Sequence, residues 1–158
     1  MLDAVTRGVA LLPAETGEVL DIFGLGLVVK VEPHTGGLFV AEHQVPPGLG
    51  VPLHVHDADD EVFVIRSGSL TLLGPEGGHV ARPGDTVLLP RGVAHGFRND
   101  GDTPVSMQVM LTPGTGAAAM FRALHRATRS AGPGGPAPAE IGAICAAHGV
   151  RFAPPTES

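Results

Sequence analysis

Hydrophobic and polar residues alternate in short runs through the first two thirds of the chain. The runs at 25–31 and 61–65 have the two-residue period of a β-strand with one buried face. Clusters of Gly, Pro and Asp separate such runs and are typical of tight turns. Further strands are predicted at 38–45, 69–73, 79–81, 86–89 and 105–111, with one or two edge strands within 4–23. This spacing indicates an all-β sandwich or barrel, and the alternation alone does not separate the two.

The pattern changes after Pro113 and Gly114. Apolar residues within 116–129 have helical spacing, which predicts a helix packed on the β-structure or covering its mouth. A Gly/Pro linker at 132–136 and a second short helix at 138–147 follow. We therefore divide the chain into a β-domain at 1–113 and a helical tail at 114–158. We favour a structural role for this tail, as cover for the β-domain, over a role as a mobile lid. Met120 and Phe121 are the residues of interest if the tail moves.

Composition narrows the classes of function. The chain has 158 residues, which is enough for one domain with a hydrophobic core. Its net charge is −6, and it has no run of Lys or Arg that would bind nucleic acid. No apolar stretch reaches the length of a membrane span, and the N-terminus lacks a signal-peptide pattern. The single cysteine, Cys145, excludes an intramolecular disulfide. We expect a cytoplasmic protein in which Cys145 is a buried helix residue.

Three histidines and one glutamate stand out as candidate metal ligands. His54 and His56 are two residues apart and would point to the same side of a strand. Glu61 opens the next strand, and His95 follows a second pair of turns. We interpret these segments as two adjacent hairpins that direct all four side chains to one interior point. Imidazole nitrogens and a carboxylate oxygen suit a first-row divalent ion.

The spacing of these residues resembles both signature motifs of the cupin superfamily. The first motif is a glycine, five residues, His-x-His, four residues, Glu, six residues and a glycine; the second is a glycine, five residues, Pro-x-Gly, two residues, His, three residues and Asn. The matching residues are Gly48, His54, His56, Glu61 and Gly68, then Gly84, Pro90, Gly92, His95 and Asn99. The resemblance covers about 39–113 and extends to the small single-barrel cupins of the quercetin-dioxygenase-like group.

The resemblance implies a double-stranded β-helix, or jelly-roll, barrel with the short helical tail beside it. It implies His54, His56, Glu61 and His95 as ligands of one divalent transition metal per chain: Fe(II), Mn(II), Ni(II), Co(II) or Zn(II). It also implies a homodimer.

A mostly apolar pocket is expected above this site. Its predicted wall consists of Phe39, Phe63, Ile65, Val87, Phe97, Met107 and Val109. Gln108 would face the pocket if the last strand had the opposite phase. His43 is a lesser candidate for a pocket or second-shell role, whereas His34, His79, His125 and His148 are expected at the surface or in local capping. Such a wall suits a small organic molecule bearing a hydroxyl, keto or carboxyl group, not a nucleotide.

Two reactions fit this site. The first is a dioxygenase reaction on a small hydroxylated or keto compound, in which, as the resemblance implies, Glu61 is both ligand and proton acceptor. The second is a non-oxidative cyclisation or isomerisation in which the ion acts only as a Lewis acid. A small-molecule-binding protein without turnover is the third hypothesis. The dioxygenase is favoured because the set of three histidines and one glutamate is intact.

Overall fold

The computed structural model describes residues 10–33, 37–132 and 135–154, which contain eleven strands and two helices. His34 and the residues before Ala10 lie outside this part. The elements are β1 (Glu18–Ile22), β2 (Leu25–Val31), β3 (Phe39–Val45), β4 (Gly50–His56), β5 (Asp60–Ser67), β6 (Leu70–Leu73), β7 (His79–Ala81), β8 (Thr86–Leu89), β9 (His95–Arg98), β10 (Val105–Thr112), α1 (Ala117–Ser130), α2 (Pro138–Ala146) and β11 (Val150–Phe152).

The strands form two antiparallel sheets. The larger sheet has the order β1-β2-β3-β10-β5-β8, and the smaller one has the order β11-β4-β9-β6-β7. Neighbouring strands pair in antiparallel register throughout. The predicted all-β barrel with a short helical tail is therefore confirmed.

The predicted hairpins around the candidate ligands are wrong. β4 pairs with β9 and β11, whereas β5 pairs with β10 and β8 in the other sheet. β8 and β9 are likewise consecutive in the chain but lie in different sheets. Both connections cross between sheets, so turn residues between two strands do not show that those strands pair. By contrast, β6 and β7 are consecutive in the chain and do form a hairpin.

The core lies between the two sheets and follows the alternation of the strands. β10 alternates between buried and half-buried positions along its length, and the side chains of Phe39, Phe63 and Leu70 are almost completely buried. Asn99 is a buried polar residue, and its amide donates to the carbonyls of Val45 and Thr103, both at 2.8 Å. A buried amide with paired donors avoids the cost of an unmade hydrogen bond.

Helix α1 packs its apolar side on the barrel. The ring of Phe121 stacks on Phe39 with centroids 5.6 Å apart. At the helix surface, the Arg122 guanidinium bonds the carboxylates of Glu18, at 2.7 Å, and Glu32, at 2.6 Å. Within the described residues, neither helix has the length and apolar character needed to cross a membrane.

The tail also contributes a strand that the sequence pattern did not predict. After α2, β11 pairs with β4 and extends the smaller sheet. Arg151 forms an ion pair with Asp57, and the amide of Asp57 donates to the carbonyl of Gly149 at 2.8 Å. Three residues are too few to show a period, and β11 follows a helix instead of a turn from another strand, so the sequence pattern offered no partner for it.

Replacing Phe39 by alanine is predicted to destabilise the protein by about 3–5 kcal/mol, because the substitution leaves a cavity between β3 and α1. The matched control is Leu88→Ala, at a side chain that is 65% exposed, which should change the stability by less than about 0.5 kcal/mol. Urea unfolding followed by far-UV circular dichroism measures both values. Similar losses in the two variants would contradict this account of the core.

Candidate metal centre

Four side chains from two sheets meet in the interior of the barrel. His54 and His56 come from β4 and His95 from β9, in the smaller sheet, whereas Glu61 comes from β5 in the larger one. One ligand atom from each residue lies within 4.8 Å of the others. All four side chains are buried. The structure thus brings together the four residues that the sequence indicated.

The pairing of β4 with β9 places two of the histidines side by side. The register shifts between Val51 and His54, which sets His54 directly opposite His95 with ring centroids 4.5 Å apart. Gly96 permits the close approach, since a Cβ at this position would lie 2.7 Å from the carbonyl oxygen of Val51. A backbone irregularity and a glycine therefore bring the two rings together.

Backbone carbonyls determine which ring nitrogen faces the site. Nδ1 of His54 lies 2.9 Å from the carbonyl oxygen of Pro52, and Nδ1 of His95 lies 2.9 Å from that of Val93. A carbonyl can only accept a hydrogen bond, so each Nδ1 carries the proton. In the neutral rings, Nε2 then presents its lone pair to the site, as a metal ligand must.

The arrangement around Glu61 is compatible with a bound cation. Oε2 of Glu61 lies 3.2 Å from Nε2 of His95 and 3.8 Å from Nε2 of His56. With a neutral His95, its Nε2 and the carboxylate oxygen are two electron-pair donors facing each other. Such a pair needs a proton or a metal ion between the two atoms. Nδ1 of His56 is also buried without a hydrogen-bond partner in the described part of the chain.

Burial keeps the histidines in the form that binds metal. Desolvation lowers the pKa of His54 from 6.5 to about 4, and it also lowers the pKa of His56. Both rings are therefore neutral at pH 7. Three imidazoles and one carboxylate form a compact donor set for a divalent first-row ion, and the donor types do not select one ion of that series.

A cavity of about 340 Å³ is bordered by three of the four candidate ligands, His54, His56 and Glu61. Its remaining wall is nearly all apolar and comes from both sheets, from α1 and from α2. Phe63, Phe97 and Val109 line this cavity, as proposed from the sequence. The wall residues that were not predicted include Ile22, Phe23, Leu25, Leu124, Ile141, Cys145, Val150 and Phe152, together with Met120 and Phe121 of the tail.

Four residues expected at the wall do not line the cavity: Phe39, Ile65, Val87 and Met107. Phe63 on β5 is opposite Val109 on β10, and both line the cavity. The next pair of inward-facing residues along these two strands is Ile65 with Met107, which lies one layer beyond the cavity. Alternation predicted the inward face of Ile65 and Met107 correctly but carries no information about depth along a strand.

The other two residues are separated from the cavity by different neighbours. The ring of Phe39 is covered by Phe121. Val87 lies on β8, at the edge of the larger sheet, and is opposite Phe63. The ring of Phe121 thus separates Phe39 from the cavity, and the edge position of β8 keeps Val87 away from it.

Polar residues near the motifs also have defined places. Gln108 lies outside the cavity, where its side chain accepts from Arg66 at 3.1 Å. Arg91 forms a surface ion pair with Asp60 at 2.7 Å. His43, a lesser candidate in the sequence, is buried and lines the cavity.

Comparison with known proteins gives a family for the central region. Residues 41–112 match the family model described as Cupin domain. No curated protein matches the chain.

Solved structures have the same fold. A cupin-superfamily sugar phosphate isomerase from Silicibacter pomeroyi is 26% identical with a TM-score of 0.50, and the match covers 58% of this chain and 60% of that protein. KdgF from a Halomonas species is 15% identical with a TM-score of 0.60, and the match covers 67% of this chain and 94% of that one. A predicted oxalate decarboxylase from Thermotoga maritima is 21% identical with a TM-score of 0.53, with 56% and 79% covered. The match thus spans less than two thirds of the isomerase.

Removal of one ligand is predicted to weaken binding of Ni(II) or Zn(II) by more than about 100-fold, because loss of even an outer-shell partner typically costs 10- to 100-fold. His95→Ala and Glu61→Gln test this by calorimetric titration and by metal analysis after dialysis. The control is His79→Gln, at an exposed histidine of β7, which should bind as the unchanged protein does. Equal affinities for all the proteins would refute the site.

The metal-free protein is predicted to lose stability as the pH falls from about 6.5 to 4. Within this window the unfolded His54 takes up a proton that the folded residue refuses, because its folded pKa is about 4. The loss from His54 reaches about 3 kcal/mol at the lower limit. Urea unfolding in EDTA at several pH values should give a shallower slope for His54→Gln than for the unchanged protein. Parallel slopes would contradict the assignment.

Proposed function

From the premise that residues 41–112 form a cupin domain, we propose that this protein is a metal-dependent oxidoreductase, a dioxygenase of the quercetin-dioxygenase-like type, acting on a small hydroxylated or keto organic compound. The observation that carries this proposal is the buried set of His54, His56, Glu61 and His95 beside an apolar cavity. Neighbouring folds include proteins described as an isomerase and a predicted decarboxylase, so the reaction is inferred from the site and not from the fold.

The four ligands would hold one divalent ion. When bound there, a redox-active ion supplies electron transfer between an oxygen-bearing substrate and dioxygen, and any divalent ion supplies Lewis-acid polarisation of a substrate oxygen. Glu61 has a second role in this proposal, since its carboxylate can accept the proton of a substrate hydroxyl. The two Nδ1–H bonds to backbone carbonyls keep His54 and His95 in one orientation while this proton moves.

The cavity wall supports an apolar substrate. Apart from His54, His56 and Glu61, the side chains with polar atoms at the wall are His43 and Cys145, and no lysine or arginine of the described chain lines it. A phosphate or carboxylate would therefore lack a basic partner other than the ion itself. The volume of about 340 Å³ suits a flat aromatic or aliphatic molecule of one or two rings. The apolar wall also excludes water from the reacting groups.

A non-oxidative cyclase or isomerase is the second candidate. The similarity to a sugar phosphate isomerase supports this class of reaction, and Glu61 could transfer a proton between two carbons of a ketone. The apolar wall argues against a phosphorylated sugar as the substrate. A binding protein without turnover is the third candidate and would use the same cavity.

A homodimer and a cytoplasmic location also remain proposals. The edge strand β1 supports the dimer, because its outer side has no neighbouring strand in the described part of the chain, and pairing with a second copy would cover it. The lone cysteine, which is buried, is consistent with a reducing compartment.

Oxygen uptake distinguishes the candidate reactions. Protein loaded with Fe(II), Mn(II) or Ni(II) is predicted to consume dioxygen with a flavonol, a 1,3-diketone or a catechol, and His95→Ala should reduce the rate by more than about 100-fold. His79→Gln is the matched control and should retain the rate. Turnover under strict anaerobiosis would replace the dioxygenase by the cyclase or isomerase. Tight binding of a ligand without turnover would support the third candidate, a binding protein.

A further inference from the structure

We propose that His43 positions the substrate by accepting a hydrogen bond from a substrate hydroxyl at its Nε2 atom. This inference rests on the proposed function, since it concerns the same cavity, but it does not depend on the use of dioxygen. It defines the ligand class further: an apolar compound with a hydroxyl group in addition to the oxygen that approaches the metal ligands.

The backbone directs His43 into the barrel. It lies on β3 between Leu27 of β2 and Met107 of β10, in the middle of the larger sheet. The side chain is 8% exposed and lines the cavity. Its ring meets the ring of Phe97 edge to face, with centroids 5.8 Å apart and an angle of 86° between the planes. Packing from three strands thus limits the motion of the ring.

One hydrogen bond sets the tautomer. Nδ1 of His43 lies 2.9 Å from the carbonyl oxygen of Gly26, so Nδ1 donates its proton there. Nε2 then holds a lone pair, and it makes no hydrogen bond within the described residues. Among the described residues, Nδ1 of His56 is the one side-chain nitrogen or oxygen atom that is fully buried without a hydrogen-bond partner. Nε2 of His43 also lacks a partner, so it is not fully buried and is accessible from the cavity that the side chain lines. Burial lowers the pKa of His43, which keeps this acceptor neutral at pH 7.

An acceptor in an apolar wall selects by chemistry. A ligand hydroxyl that donates to Nε2 makes a hydrogen bond in place of the one it made to water. A methyl group of the same size leaves the acceptor unpaired. Sites built in this way discriminate more strongly than apolar contacts alone. His43 would therefore separate a hydroxylated ligand from its methyl analogue without touching the metal ligands.

The test compares 2-naphthol with 2-methylnaphthalene, which has a similar shape but no donor, in protein treated with EDTA. The chain has no Trp or Tyr, so the fluorescence of the probes can be read directly. Relative to the unchanged protein, His43→Phe should reduce the preference for 2-naphthol about tenfold, whereas His43→Gln should recover part of it. His79→Phe is the control and should leave the ratio unchanged. Circular dichroism of the EDTA-treated protein, and the Zn(II) content of a separate sample loaded with Zn(II), verify that each variant is folded.

A second measurement needs no substitution. In two-bond 1H–15N spectra, 2-naphthol should shift the Nε2 resonance of His43 while Nδ1 stays protonated, and 2-methylnaphthalene should not. Equal binding of the two probes, no binding of either, or an unmoved Nε2 resonance would overturn the proposal. A preference that appears only in Zn(II)-loaded protein and survives in His43→Phe would assign the selection to the metal site. That outcome would reject His43 and leave the proposed function standing.

Discussion

The structure depends on the approach of one carboxylate to three imidazoles across the interior of the barrel. Glu61 belongs to the larger sheet and the histidines to the smaller one, so their proximity requires the two sheets to keep a fixed separation. Without a cation, electron-pair donors face each other in a medium of low polarity. The core residues around Phe63 and Asn99 hold this arrangement, and a bound ion would join the two sheets through their side chains.

The apolar cavity and the buried histidines share one physical cause. Exclusion of water lowers the pKa of His43, His54 and His56, because the charged imidazolium loses its solvation. The same exclusion strengthens every polar contact that a ligand makes at the wall. A single enclosed volume therefore prepares the rings for coordination and limits the range of molecules that can enter.

The sequence predicted the strands and the cluster of candidate ligands well where the signal was local. The alternation at 61–65 indicated the buried face of β5, and the spacing around His54 and His95 indicated the ligand set. Which strands pair was not local information, so β4 and β5 were wrongly taken as a hairpin. Depth along a strand was also missing, which is why Ile65 and Met107 were expected at the wall. Strand β11 has three residues and follows a helix, so the sequence pattern did not indicate it.

The two parts of the site have separate origins in the chain. The four ligands lie within 54–95, inside the region that matches the cupin domain at 41–112. Much of the cover, including Phe23, Met120 and Phe152, lies outside that region. Substitutions in these flanking segments can therefore change the shape of the enclosed space while the ion keeps its ligands. Selection of the bound molecule is in this way separable from the set of four candidate ligands.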